Sequence, residues 1–258
     1  MTEQSATASD SLPIRFSQRR QWAADQSISY LMKQGLENRD VISLAAGFVD
    51  ETTLPVNEVR DTMNRLLTDN EAGRHNLQYA TTAGDPRLRS LLLKHLAHVE
   101  DSTVESLGVS PNEVLVTAGS QQLLNHIADV VLDPGDICLV SGPTYFVFLG
   151  TLAGIGARTI AIESDDFGMK MDALEAELTR IEAAGELDRV KMIYLVSWFE
   201  NPSGVSLSAE RRKQVVEIAK RWSKHQRILI LEDAAYRELR YEGEETPSIW
   251  SFDESRQH

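Results

Sequence analysis

From about residue 112 onward, short apolar runs alternate with longer segments whose apolar residues recur at helical spacing. This alternation is typical of a mainly parallel sheet whose two faces are covered by helices. The apolar runs predict strands at 113–117, 136–141, 158–163, 190–196 and 227–232. We therefore expect an α/β chain with three layers (α/β/α), in which the sheet lies between two layers of helices.

Amphipathic segments between these strands predict helices that begin near Ser120, Met171 and Ser208. Ser208 is a candidate N-cap, and Glu210 would lie in the first turn, where a carboxylate is favoured by the helix dipole. Residues 20–100 differ, because helical segments there are joined by loops that carry SLAAGF and LQYATTAGDP. We expect this region to form a helical N-terminal arm that leads into the α/β domain.

The charge, the cysteine content and the apolar runs of the sequence indicate which partners and which compartment to expect. A formal net charge of −13 argues against a nucleic-acid binder, whose phosphate contacts need clustered lysine and arginine, and against attraction to anionic membranes. The leader MTEQSATASDS lacks the apolar core of a signal peptide, and no apolar run approaches the roughly 18 residues of a membrane span. Cys138 is the single cysteine, so an internal disulfide is impossible. We expect a cytoplasmic protein with small-molecule or protein partners.

Polar and aromatic residues follow the ends of the predicted strands. A helix opens at Ser120 or Gln121, where free N–H groups and the helix dipole suit a phosphate, although Ser120 could equally be the helix cap. Tyr145 follows the second strand, and an aromatic residue there is either core or a platform for a flat ligand. Asn201 precedes Pro202 after the fourth strand and, taken alone, indicates a turn.

The last predicted strand runs into two carboxylates, Glu232 and Asp233, with Tyr236 three places beyond the second. A carboxylate at the end of a buried apolar strand either extends into solvent or faces a cationic group. Ligands of open α/β sheets bind outside the carboxyl ends of the strands, so we expect these features to surround one ligand, with Glu232 flanking on the opposite face. Such a ligand would carry a phosphate, a flat ring with a polar substituent and a basic ring nitrogen. Pyridoxal 5'-phosphate fits this description.

Seven stretches resemble, in order and spacing, the class I and II aminotransferases of fold type I, which use this cofactor. They are YATTAGDPRLR, VTAGSQQLLNHIADVVLDPGD, GPTYF, DDFGMKMDALEAEL, FENPSG, LILEDAAYREL and PSIWSFDE. Each motif is weak singly, but the ordered set is specific and covers roughly residues 25–258. The sequence is most similar to the subgroup that acts on aromatic, α-aminoadipate or branched-chain amino acids.

The resemblance implies a role for each matching residue around the cofactor ring. Tyr145 would stack on the pyridine ring, and Asn201 and Tyr236 would bind its phenolic oxygen. Asp233 would pair with the ring nitrogen and keep it cationic, so that the ring can act as an electron sink. The motif EDAAY has alanines where the subgroup often has Asp and Pro, but the spacing from Asp233 to Tyr236 is intact.

The resemblance also implies contacts beyond the ring. Ser120 and Gln121 would bind the cofactor phosphate. Tyr79 would reach the phosphate of a neighbouring subunit, which implies a homodimer with shared sites. Gly47 would border the substrate carboxylate, where the lack of a side chain permits close approach.

The catalytic lysine of the family, which binds the cofactor as a Schiff base, has no counterpart in the sequence. It is expected after a further strand, whereas 25 residues follow Asp233 and none is a lysine. The lysines present are Lys33, Lys94, Lys170, Lys191, Lys213, Lys220 and Lys224. They are expected in helices, in loops or at the start of a strand, with their ammonium groups in solvent. We therefore expect a chain truncated before its catalytic lysine.

The expected function is pyridoxal-phosphate-dependent transfer of an amino group from an L-amino acid to a 2-oxo acid, with this chain inactive alone. The expected organisation is a disordered tail (1–14), an arm with part of a small domain (15–75) and a cofactor-binding large domain (76–258). Two alternatives stay open: a non-catalytic module for dimerisation or regulation, and a lyase on the same scaffold. His95 and His98 lie one helical turn apart without a nearby Cys or Glu set, so no metal site is expected.

Overall fold

The computed structural model describes residues 14–23, 30, 33–35, 37, 38, 40, 42, 49–255 and 258. Except for Ile14, the tail expected over 1–14 lies outside the described residues. The helices with described limits are α1 (Gln18–Trp22), α2 (Val56–Thr68), α3 (Asn70–Asn76), α4 (Pro86–Val99), α5 (Val104–Leu107), α6 (Ser120–Val131), α7 (Phe146–Gly154), α8 (Met171–Ala183) and α9 (Ala209–Trp222). The strands are β1 (Ile137–Gly142), β2 (Arg158–Asp165), β3 (Gly168–Met169), β4 (Val190–Val196) and β5 (Leu229–Asp233).

The strands form one sheet in the order β3-β2-β1-β4-β5. The pairs β1–β2, β1–β4 and β4–β5 are parallel, and the short β3 pairs antiparallel with β2. In the ladders, Gly142 lies opposite Glu163 and Val196 lies opposite Asp233, so neighbouring strands end together. The carboxyl ends of the four parallel strands therefore lie along one edge of the sheet, as the mainly parallel pattern predicts.

Side chains of β1 alternate between two separate cores. Ile137 and Leu139 pack in a cluster that includes residues of α8 and α9, whereas Cys138 and Val140 pack with residues of α6 and α7. Successive residues of a strand point to opposite faces, so the two clusters lie on opposite sides of the sheet. The three-layer α/β/α architecture is thereby confirmed.

Helix ends follow the expected capping chemistry. Ser208 is the N-cap of α9 and its Oγ accepts a hydrogen bond from the backbone N–H of Arg211, as predicted from the sequence. Asp85 caps α4 in the same way, and Pro86 occupies the first turn, where no backbone donor is needed. Among the described residues, no helix combines the length and the apolar content that crossing a bilayer requires.

The strand predicted at 113–117 is wrong. A 3₁₀ turn occupies Pro111–Glu113, and the segment that follows is extended but belongs to no ladder. Among the described residues, its one long-range backbone hydrogen bond runs from Val116 N to Ala83 O, at 3.0 Å. A strand needs a partner on which to form a ladder, and the apolar pattern of a single segment says nothing about that partner. Leu115 is accordingly 48% exposed.

The strand β5 is less buried than its apolar sequence predicts. All of its residues are half-buried, because β5 pairs with β4 on one side and forms the edge of the described sheet. The N–H of Ile230, on the edge strand, donates to the carbonyl of His258 at 2.7 Å. A continuous apolar run indicates that both faces of a strand are covered, but it does not show whether a neighbouring strand covers the outer edge.

Glu232, on the edge strand, belongs to a buried ionic network. The sequence predicts only a flanking role for this residue. The Glu232 carboxylate accepts hydrogen bonds from Ser197 Oγ at 2.6 Å and from the backbone N–H of Ile249 at 3.0 Å, and the guanidinium of Arg212 lies 3.4 Å away. The Arg212 side chain is fully buried, and burial lowers its pKa to about 10. The ring of Trp198 lies 4.0 Å below that guanidinium. Sequence reasoning missed this network because it depends on tertiary contacts.

Candidate functional site

The carboxylate of Asp233, at the end of β5, is held by two hydrogen bonds. Its Oδ2 accepts from the hydroxyl of Tyr194 at 3.0 Å, and its Oδ1 accepts from the backbone N–H of Ala235 at 3.1 Å. A carboxylate offers about four lone-pair sites, so Asp233 retains acceptor capacity after these two bonds. An acid fixed in this way can accept a further charge-assisted bond from a cationic N–H group.

Three residues, from the loops after β1, β4 and β5, lie around this acid. The amide of Asn201 donates to the hydroxyl of Tyr236 at 3.3 Å, which brings the loops after β4 and β5 into contact. Tyr145, after β1, is half-buried, and its pKa is raised by burial and then by the nearby Tyr236 and Asp233. The structure therefore brings together Tyr145, Asn201, Asp233 and Tyr236 at adjacent strand ends, as the sequence predicts.

The N-terminus of α6 supplies free backbone donors. Its N-cap is Gly119, with φ of 78°, so Ser120 is the first helical residue, and the cap interpretation of Ser120 is wrong. The left-handed backbone at this position favours glycine. The Ser120 side chain is exposed, and the first N–H groups of a 12-residue helix have no intrahelical acceptor. This end of α6 is suited to an anion.

The side chain of Gln121 points into the contact between α6 and α7. Its Nε2 donates to Thr151 Oγ1 at 3.2 Å and to Asn125 Oδ1 at 3.3 Å. Its Oε1 is buried and has no hydrogen-bond partner among the described residues. The family resemblance implies that Ser120 and Gln121 bind the phosphate together. In this arrangement Gln121 offers an anion its backbone N–H rather than its side chain.

Of the two other predicted site residues, only Tyr79 is described, and it does not join this cluster. Tyr79 is 99% exposed, in the loop after α3, with its backbone N–H bonded to Gln78 Oε1. A side chain that extends so far into solvent is free to contact a second molecule. Gly47 lies outside the described residues, so its expected place near a substrate carboxylate stays a prediction.

Sequence reasoning missed Glu200, which lies immediately before Asn201. It is 6% exposed, and its Oε1 accepts a hydrogen bond from Thr144 Oγ1 at 2.8 Å. Burial raises the pKa of Glu200 to about 7, although hydrogen bonds from Thr144 and Ser141 oppose the shift. It lies in a loop two residues before Pro202, where an acid is usually solvated, so only the tertiary structure shows that it is buried.

Sequence reasoning also missed Tyr194, whose ring is fully buried inside β4. A signal was present, because a buried tyrosine hydroxyl usually finds a hydrogen-bond partner and Tyr194 interrupts an apolar strand. That partner is Asp233, as described above. Its pKa is raised by burial and by the charge of Asp233, so the hydroxyl remains a donor.

These groups fit a flat ligand that carries an anionic tail and a basic ring nitrogen. Asp233 has spare acceptor capacity for the nitrogen, and the Asn201–Tyr236 pair supplies polar groups for a ring oxygen. A Cβ added at Gly119 would meet nothing within 4 Å, so the space before α6 is open to an anion. Pyridoxal 5'-phosphate has all of these features.

Most lysines of the chain are engaged away from these residues. The ion pairs are Lys33 with Glu37, Lys170 with Glu163, Lys220 with Asp253 and Lys224 with Glu182. Lys191, near the start of β4, donates to Gln226. Lys94 and Lys213 lie on α4 and α9. The expected placement of all seven in helices, in loops or at the start of a strand is confirmed.

Comparison with known proteins identifies the family of this chain. The model of "Aminotransferase class I and II" matches residues 39–258. The chain belongs to this aminotransferase family. It is 36% identical over 219 residues to aromatic-amino-acid aminotransferase 1 of Thermococcus litoralis, a match that covers 85% of this chain and 49% of that protein. The chain thus spans about half the length of the curated relatives it matches.

Solved structures of other aminotransferases share the fold. Kynurenine aminotransferase of Pyrococcus horikoshii, in complex with PMP, is 34% identical with a TM-score of 0.79 over 93% of this chain and 55% of that chain. LysN, the α-aminoadipate aminotransferase of Thermus thermophilus, complexed with N-(5'-phosphopyridoxyl)-L-leucine, is 27% identical with a TM-score of 0.71. That match covers 91% of this chain and 53% of LysN. The family and fold expected from the seven motifs are confirmed.

Proposed function

We propose that this chain forms the cofactor-binding half of a pyridoxal-phosphate-dependent aminotransferase that moves an amino group from an L-amino acid to a 2-oxo acid. The observation that carries the proposal is the Asp233 carboxylate, held at the end of β5 beside Tyr145, Asn201 and Tyr236. The aminotransferases with kynurenine, aromatic and aminoadipate substrates in their names support it. Residues 76–258 would be the large domain, and 15–75 the arm with part of a small domain.

Each residue has a physical task in this proposal. When bound, the cofactor supplies an electron sink that makes the Cα proton of an amino acid acidic. Asp233 holds a proton at the ring nitrogen through a charge-assisted hydrogen bond. Tyr145 limits water at one face of the ring, while Asn201 and Tyr236 donate to the ring oxygen. Ser120 and the first N–H groups of α6 bind the phosphate.

Residues 1–258 alone would bind the cofactor without a covalent bond and would not turn over. The lysines described above are engaged or lie elsewhere, and 25 residues without a lysine follow Asp233. The test is to incubate the chain with pyridoxal 5'-phosphate, reduce with borohydride and map the peptides. Saturable binding without a specific pyridoxyl-lysine supports the proposal. A specific pyridoxyl-lysine together with transamination would contradict it.

A homodimer is part of the proposal. The helix α2 exposes an apolar stripe, with Val59 56% and Met63 48% exposed, and contiguous apolar surface of this kind is favourable to bury in an interface. Tyr79 extends from the loop after α3 and would reach the phosphate in the partner subunit. Sedimentation of the chain with and without cofactor tests this, and a Tyr79→Phe change is expected to weaken cofactor binding only in the dimer.

The cellular setting is also proposed. The net charge of −13 supports partners other than nucleic acid. The free cysteine, Cys138, is fully buried and is consistent with a reducing cytoplasm. Fractionation of cells that express the chain, followed by immunodetection, tests this: recovery with membranes or with nucleic acid would contradict it.

A further inference from the structure

We infer that Tyr194 is a positioning residue for Asp233, and that it aims the carboxylate at the ring nitrogen of the cofactor. The inference rests on the proposed function, because it assigns a partner to the acid of that site. It goes beyond it, because Tyr194 is a core residue of β4 that touches no part of the ring in the proposal. Its effect would pass entirely through Asp233.

The register of the sheet places the two residues on one face. Val196 lies opposite Asp233 in the ladder between β4 and β5, and Tyr194 precedes Val196 by two residues. Residues two apart on a strand share a face, so Tyr194 and Asp233 lie on the same face of the sheet, on neighbouring strands and two residues out of register. The hydroxyl is then within reach of Oδ2, at 3.0 Å.

The Tyr194 ring is itself held in place. It is fully buried, and the centroid of the Phe148 ring lies 4.3 Å from its own. A packed aromatic ring keeps its hydroxyl in one position at little entropic cost. The hydroxyl is therefore a fixed donor, in contrast to an exposed side chain or a mobile water.

The Asp233 carboxylate needs such a donor, because its last torsion is a soft sp³–sp² rotation. The N–H of Ala235 holds Oδ1 alone, and a bond to one oxygen leaves the carboxylate free to swing. The Tyr194 hydroxyl holds the other oxygen, and the two bonds together define the plane of the carboxylate. Its remaining lone pairs then point in fixed directions.

Loss of the Tyr194 hydroxyl would have two opposed effects on the bond to the ring nitrogen. The carboxylate would become a stronger acceptor, since one donor no longer competes for its charge. It would also lose its fixed direction, and at a half-exposed strand end it could turn towards water. Directional bonds to charged groups lose most of their strength when misaligned, so we expect the second effect to dominate.

Two ligands separate this role from a general role in folding. The first is pyridoxal 5'-phosphate, and the second is its analogue with C–H in place of the ring nitrogen. The ratio of their dissociation constants measures the contribution of the nitrogen contact alone. In Tyr194→Phe the preference for the nitrogen-containing ligand is expected to fall about tenfold, the value of one charge-assisted hydrogen bond. The second variant, Tyr194→Met, also lacks the donor and is expected to show the same loss.

Leu178→Ala is the matched control, because Leu178 is buried in the core cluster on the other face of the sheet, away from Tyr194, and the change leaves the hydroxyl and its packing in place. It is expected to lower the melting temperature and to keep the ligand preference of the wild type. Asp233→Asn is expected to abolish the preference. An unchanged preference in both Tyr194 variants would overturn the inference on Tyr194. A wild type that binds neither ligand, or shows no preference between them, would instead overturn the proposed function.

Discussion

The hydroxyl of Thr144 lies 2.8 Å from Glu200 Oε1, in a part of the structure where both side chains are buried. Thr144 precedes Tyr145 and Glu200 precedes Asn201, so this bond joins the two loops that carry those site residues. The loops follow different strands, β1 and β4, which are neighbours in the sheet. This hydrogen bond between buried side chains therefore connects two walls of the candidate site.

The ionisation of Glu200 makes stability depend on pH. Burial raises its pKa from 4.5 to about 7, so between these values the folded chain keeps a proton that the unfolded chain has lost. The free energy of unfolding therefore falls as pH rises through this window, by about 3 kcal/mol in total. Glu200→Gln is expected to remove this slope in urea melts between pH 4.5 and 7. The exposed Glu217→Gln on α9 is the control, and an unchanged slope in Glu200→Gln would contradict the assignment.

Removing the hydroxyl of Thr144 is expected to loosen the same contact. Thr144→Val leaves the buried Glu200 carboxyl with one donor fewer, which costs about 1–2 kcal/mol of folding free energy. The separation of the two loops is then less constrained, so the affinity for pyridoxal 5'-phosphate should also fall. Thr144→Ser retains the hydroxyl and serves as the control in denaturant melts and binding titrations. Equal behaviour of the Val and Ser variants would show that the bond has no such role.

Ser120 and Gln121 are expected to differ in their effect on cofactor binding. Ser120 exposes its hydroxyl at the first turn of α6, whereas the side chain of Gln121 is bonded to Thr151 and Asn125. Ser120→Ala should weaken binding of pyridoxal 5'-phosphate about tenfold, through loss of a bond to a charged phosphate. Gln121→Ala should lower stability and leave affinity nearly unchanged. Isothermal titration measures both, and a larger loss of affinity in Gln121→Ala would reverse the assignment.

The buried network behind β5 is expected to contribute strongly to stability. Arg212→Met removes the guanidinium beside Glu232 and leaves that carboxylate buried without its cation, which costs about 3–5 kcal/mol. The neighbouring Lys213 is exposed, so Lys213→Met is a matched control with an expected change within about 0.5 kcal/mol. Chemical denaturation compares the two. Similar melts for both variants would show that the ion pair contributes little.

The sequence predicts the local elements of the fold well. The bounds of β4 coincide with the predicted strand at 190–196, and α4 lies in the region 20–100 where helical segments are expected. The prediction of a strand at 113–117 is wrong because the apolar pattern of one segment does not show whether a partner strand lies beside it. Whether a segment joins a sheet depends on residues far along the chain, which periodicity does not describe.

The difference between local patterns and contacts of distant residues also applies to the candidate site. Tyr145, Asn201, Asp233 and Tyr236 were predictable because each follows a strand and parallel strands end at one edge. Tyr194 and Glu200 were not predicted as part of the site, since one depends on sheet register and the other on the burial of a loop. Residues that act through contacts between elements are therefore the ones that only the structure reveals.

The central claim is that Asp233 holds a proton on the ring nitrogen of a bound cofactor. Pyridoxamine 5'-phosphate labelled with ¹⁵N in the ring tests this directly, because the chemical shift of the nitrogen reports its protonation. At a pH where the free ligand is neutral at this nitrogen, the wild-type chain is expected to show a protonated ring and Asp233→Asn a neutral one. A neutral ring nitrogen in the wild-type complex, or the same shift in both complexes, would contradict the account.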